Sequence, residues 1–226
     1  MRMLRLILGD MHFQFKYGFY FIYAAFCVFY IFLLYLLPDG WRENAASLMI
    51  YSDPAAMGLF FMGAITLLEK SQRVLDALAV SPATAFEYII AKTASLAFIS
   101  ALVSLVIAFA ARMRNIPVVL LTTALTSSVF SLLGLIVATK ANSLNQYMMM
   151  TIPLEILCFA PPVAYMFAPS AVTRWYPLNG SLALISSRSQ NPLVDMLMLI
   201  FLIVCLFLVT HKETVKMWRS LGGVKL

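Results

Sequence analysis

Charge is scarce in this chain of 226 residues: Asp, Glu, Lys and Arg make up 12% of it, against about a quarter in soluble globular domains. That supply cannot clothe a water-soluble surface of this size. Cysteine and histidine are scarcer still. Cys27, Cys158 and Cys205 all lie in apolar runs, so they read as buried free thiols, with neither a disulfide framework nor metal-ligand spacing. His12 and His211 stand alone near opposite ends, which excludes a paired zinc site and leaves the metal expectation at none. No G-x-x-x-x-G-K-[ST] phosphate loop, G-x-S-x-G elbow, H-E-x-x-H motif or close carboxylate pair occurs, so no catalytic residue is assigned and the chain has no nucleotide site of that kind. Internal repeats and low-complexity segments are also missing.

What the chain has in abundance is hydrophobic length. Its hydrophobic fraction is 62% and its mean hydropathy +0.90, and several runs approach or exceed the roughly 18–20 residues that cross a bilayer as a helix. Backbone groups in lipid must bond internally, and the alternating pattern of a membrane barrel is absent, so the expected fold is an all-α integral membrane bundle. The net charge of +6 then belongs to the lipid bilayer, through anionic headgroups and the positive-inside bias, and no nucleic-acid partner is expected.

Taken in order, residues 1–16 set Arg2, Arg5, His12 and Lys16 against Leu4, Ile7, Leu8, Met11 and Phe15, the pattern of an amphipathic interfacial helix. Gly18 to Leu37 is too long for a signal-peptide core and reads as an uncleaved first span. Residues 38–53 read as an external polar loop with Trp41 as an interfacial anchor. Asp53-Pro54 opens a short second span to about Leu68. The third begins after Thr84 and the fourth at Pro117. The fifth is irregular, with Met148, Met149 and Met150 followed by Pro153, Glu155, Pro161 and Pro162; each interior proline costs a helical hydrogen bond. Residues 168–190 read as a partly re-entrant external element. Asn191-Pro192 opens the sixth span, and 211–226 is a basic tail. The domain reading is therefore an interfacial helix (1–16), a six-helix transmembrane unit (17–210) and a cytoplasmic tail. Six spans place both termini on one side, and eleven of the sixteen Lys and Arg residues share that side. A multi-pass protein of the cell (inner or plasma) membrane with cytoplasmic termini follows.

Between the second and third spans lies a polar island, Glu69 to Lys92. Val74, Leu75, Leu78 and Ala79 fall on one side of a short helix, and Lys70, Arg73 and Asp76 toward the other. Ser81-Pro82 stops that helix, and Thr84 with Glu87 spells a capping box for the next.

The run LLEKSQRVLDALAVSPATAFEYIIAK resembles the coupling segment of ABC-2 type transporter permeases. EK at 69–70, ALAVSP at 77–82 and EYIIAK at 87–92 are most similar to the small fluoroquinolone-export permease group. The resemblance implies a six-helix permease bundle working with a second permease chain, as homodimer or related heterodimer, and with two copies of a separate ABC ATPase subunit. ATP and Mg would sit on that partner, and this chain would hold no cofactor. The coupling residues implied are Glu69, Lys70, Arg73, Leu75, Asp76, Leu78, Ser81 and Pro82, with Leu75 and Leu78 anchored against the partner. The implied activity is alternating-access export of an amphipathic drug-like, peptide or lipid-like substrate. An ATP-independent channel or secondary transporter, or a membrane assembly scaffold, is the competing reading. Glu155 is either a substrate-pathway carboxylate or a group satisfied near the external interface by the Pro153 kink. Met148 and Met149 could add an adaptable apolar surface beside it.

Overall fold

The computed structural model describes residues 2–52, 56–79, 81–168 and 173–221, and all regular structure among them is helical. Ten α-helices follow in order: α1 (Arg2–Lys16), α2 (Phe19–Leu36), α3 (Asp39–Ile50), α4 (Met57–Ser71), α5 (Val74–Ala79), α6 (Ala85–Ala110), α7 (Ile116–Lys140), α8 (Leu144–Phe167), α9 (Pro177–Ile185) and α10 (Pro192–Leu221). Five of them, α2, α6, α7, α8 and α10, are long and apolar enough to cross a membrane. The expected second span is not one of these. α4 has 15 residues, about 22 Å at the helical rise, short of a 30 Å hydrocarbon core.

The helix expected at the interface is α1, and it turns apolar side chains outward. Leu4, Leu8 and Phe15 are exposed, while Gln14 is buried against the bundle. Gly18 at φ 80° ends this helix in the left-handed region and lets α2 leave at an angle.

Residues 39–50, expected as a loop, form α3 instead. Pro38 precedes it, Asp39 pairs with Arg42 at 2.5 Å in its first turn, and Arg42 Nε donates to Leu34 O and Leu37 O at 3.1 Å. The same guanidinium therefore stabilises the start of α3 and satisfies the end of α2. A π-helical turn at 51–52 closes α3. The Asp53-Pro54 helix start falls outside the described residues.

At the centre runs α7, the most buried of the five long helices. Among its buried residues is a run of small and polar ones, Thr122, Thr123, Thr126, Ser127, Ser131 and Gly134. Small side chains let neighbouring backbones close in. A Cβ on Gly58 of α4 would stand 2.6 Å from Ser131 Oγ, and Ser100 of α6 meets Ser127 at 2.9 Å. The loop from α6 to α7 is short, so the two helices are antiparallel neighbours.

Cross-contacts order the ends. Asp10 of α1, Glu69 of α4 and Lys92 of α6 meet, and Trp218 of α10 lies edge-on to Tyr88 at 5.5 Å. The C-terminal segment is thus not a free tail: α10 is continuous to Leu221, with Thr214 and Met217 buried. At the opposite end, Arg188 after α9 donates to Asn44 of α3 at 2.8 Å. α9 itself is largely buried by the rest of the protein.

Candidate functional site

The polar island is built as its sequence pattern predicts. Arg73 at φ 56° stops α4 in a left-handed conformation, α5 follows, and Ser81 Oγ closes the corner by donating to Leu78 O at 2.8 Å. Thr84 and Glu87 form the reciprocal capping box that starts α6.

Beneath the island lies a buried ion cluster. Lys92, two turns into α6 and 1% exposed, places its Nζ 2.7 Å from Asp10 Oδ1 and 2.5 Å from Glu69 Oε1. Tyr88, one turn earlier on the same face, donates its hydroxyl to Glu69 Oε2 at 2.9 Å, and Gln14 of α1 donates to Ser95 Oγ at 2.8 Å. The aromatic rings of Tyr88 and Phe13 cover the ammonium at 5.3 and 6.0 Å. Such a group stands in a low-dielectric site only because both carboxylates attend it. The cluster ties three helices that are remote in sequence to one point. Beside it a cavity of about 210 Å³ is lined by Arg5, Asp10, Glu69, Val74, Leu78 and Tyr88.

The structure sorts the expected coupling residues into two groups. Arg73, Asp76 and Pro82 are exposed on the island's rim, and Leu78 and Ser81 are partly buried. Glu69 and Leu75 face inward, at 4% and 0% exposure. Lys70 is half-buried and donates to Ala138 O at 2.7 Å and Ala141 O at 2.9 Å, with Thr139 O at 3.3 Å. Its ammonium therefore caps the C-terminal carbonyls of α7, where a cation is favoured. Leu75 was expected as an anchor against a partner; it is instead an anchor into the chain's own core. A helix of 6 residues is not stable alone and needs such a leucine to hold it to the bundle.

Farther along, Glu155 lies in a shallow, wide-open groove whose lining comes from α8 alone, with Ile156, Phe159, Ala160, Val163 and Ala164. These positions recur at helical spacing along one face. Glu155 is partly buried, and its Oε1 has no hydrogen-bond partner among the described residues. Met148 and Met149 are exposed near the start of α8 and do not line the groove.

Residues 1–216 match the fluoroquinolones export permease protein family. The chain belongs to this family. Two relatives, both fluoroquinolones export permease proteins of Mycobacterium tuberculosis, are 29% identical over 176 residues, covering 74% of this chain and 73% of theirs. The permease is thus of the ABC-2 type that the island's residues indicate, a multi-pass membrane protein of an export family. Within it, the structure brings Glu69, Tyr88 and Lys92 together with Asp10, which sequence reasoning missed. The available signal was the Asp10–Gln14 pair, polar residues one turn apart on the side of α1 facing away from Leu4 and Leu8.

Proposed function

We propose that this permease is the membrane subunit of an ATP-driven exporter in which a separate ABC ATPase subunit, in two copies, hydrolyses ATP with its Mg, and a second permease chain completes the pathway. The observation that carries the reading is the island itself: an exposed rim of Arg73, Asp76 and Pro82 mounted on a buried ion cluster that joins α1, α4 and α6. Movement of the rim by a partner would be passed to three helices at once instead of being absorbed by one flexible loop. α3 and α4 together serve as the sixth crossing. Their two halves meet beside the bundle's middle, where Tyr51 packs on Phe130 and Phe159, and Glu69 returns the chain to the end that holds α1. Both termini and the island then lie in the cytoplasm, in keeping with the excess of Lys and Arg there.

The relatives' names concern fluoroquinolones, which supports an amphipathic drug-like substrate for this chain. The shallow Glu155 groove suits such a molecule: an apolar helix face with one carboxylate that favours a cationic or zwitterionic ligand. Coexpression with the ATPase subunit tests the proposal. ATP-dependent export of a fluoroquinolone from proteoliposomes is expected only when both chains are present. Export by the permease alone, driven by an ion gradient, would overturn it.

A further inference from the structure

A proline supplies no amide to the carbonyl four residues before it. In α8, Pro161 therefore leaves Leu157 O without its helical donor, and Pro162 leaves Cys158 O without one. The structure supplies each carbonyl with a replacement. Tyr176 donates its hydroxyl to Leu157 O at 2.8 Å, and Tyr51 donates its hydroxyl to Cys158 O at 2.8 Å. At this double proline the correspondence is one tyrosine for each missing amide; Pro153, two turns earlier, removes a third amide from α8, and neither tyrosine serves it.

The two donors come from separate parts of the fold. Tyr51 sits in the π-helical turn that closes α3, fully buried, with its ring edge-on to Phe159 at 5.5 Å and Phe130 at 6.1 Å. Tyr176 directly precedes α9. Burial, with Cys158 nearby, pushes the Tyr176 hydroxyl up to about 12, so it stays protonated and able to donate across the physiological range. The groove straddles this point. Glu155 and Ile156 precede the two prolines, Phe159 and Ala160 reach them, and Val163 and Ala164 follow. A change in the course of α8 at the prolines would move the part of this lining before them relative to the part after them.

We propose that Tyr51 and Tyr176 are positioning residues that stand in for the two main-chain donors missing at the double proline of α8, hold the course of the helix there and thereby set the shape of the Glu155 groove. The transport half of this proposal rests on the groove being the substrate pathway; the hydrogen-bond half does not. Tyr51 also links this stretch of α8 to the island side of the molecule, since α4 begins shortly after it and ends at the ion cluster.

Carbonyl labelling tests the pairing directly. With Cys27→Ser and Cys205→Ser, carbonyl-¹³C cysteine marks Cys158 alone. Tyr51→Phe should raise the frequency of that infrared band, Tyr176→Phe should leave it in place, and adding Pro162→Ala to Tyr51→Phe should bring it back by restoring an amide. A band that ignores Tyr51→Phe, or answers equally to Tyr176→Phe, overturns the proposal. In proteoliposomes with the ATPase subunit, Tyr51→Phe should slow export about fivefold, the equivalent of one buried hydrogen bond, and Pro162→Ala should recover it. Export unchanged by Tyr51→Phe but altered by Glu155→Gln would overturn the positioning role. Export unmoved by both variants would instead count against the pathway reading, and the carbonyl band would decide the proposal by itself.

Discussion

Lys92 shows how one residue can tie together helices of a membrane protein that are remote in sequence. Its ammonium is enclosed by Asp10 and Glu69, and removing it would leave two carboxylates facing each other without compensation. Lys92→Met should therefore destabilise the permease by about 3–5 kcal/mol, read as a lowered thermal unfolding midpoint in lipid nanodiscs. Adding Asp10→Asn and Glu69→Gln should recover much of the loss; no recovery would mean that the charges are not what the site depends on. Leu75 makes the complementary case. At 0% exposure it belongs to the core, so Leu75→Asp should abolish folded yield by burying an unpaired charge, while Asp76→Asn on the rim should leave yield unchanged. Equal behaviour of the two variants would refute the inward placement of Leu75. Glu69 was visible in the sequence as the start of the island and Lys92 as its end. Their meeting with Asp10 was not, because the partner of Lys92 lies 82 positions away and charge counting treats every lysine near a membrane as solvent-facing.

At the level of elements, hydropathy reads a helix by its average and misses how pieces combine. α6, α7 and α10 were legible because each carries an apolar run long enough to cross a membrane. The capping box at Thr84 was legible because its geometry is encoded in four adjacent residues. α3 was not: its opening, with Asp39, Gly40, Arg42, Glu43 and Asn44, resembles a loop until Arg42 is seen bridging two helix ends. The prolines of α8 read as a kinked or broken segment, whereas the helix runs unbroken from Leu144 to Phe167; the two tyrosines that serve its carbonyls were not legible, since both donors come from other elements. The island's coupling role has its own test in Arg73. Its left-handed backbone, φ 56°, is one that glycine adopts without strain. Arg73→Gly should hold or raise thermal stability while weakening association with the ATPase subunit, measured by copurification at increasing salt. A stability loss with association unchanged would make Arg73 a purely structural residue.

For the whole molecule, the account joins an interfacial helix, a bundle and an island at one end, opposite α9 at the other. That arrangement makes a topological prediction. Glu43 and Ser220 are both exposed, at opposite ends of the bundle. In intact cells, Glu43→Cys should react with a membrane-impermeant maleimide, and Ser220→Cys should react only after the membrane is opened. Labelling of both from outside would mean that α3 and α4 do not make the sixth crossing. The central claim is that the island's rim meets an ATPase. The most direct measurement is photo-crosslinking in living cells of the native host from a benzoylphenylalanine at position 76, with position 187 at the other end as the control. The account predicts capture of a chain carrying a G-x-x-x-x-G-K-[ST] phosphate loop from position 76 and none from position 187. Absence of such a chain at position 76, or its capture from position 187, would contradict it.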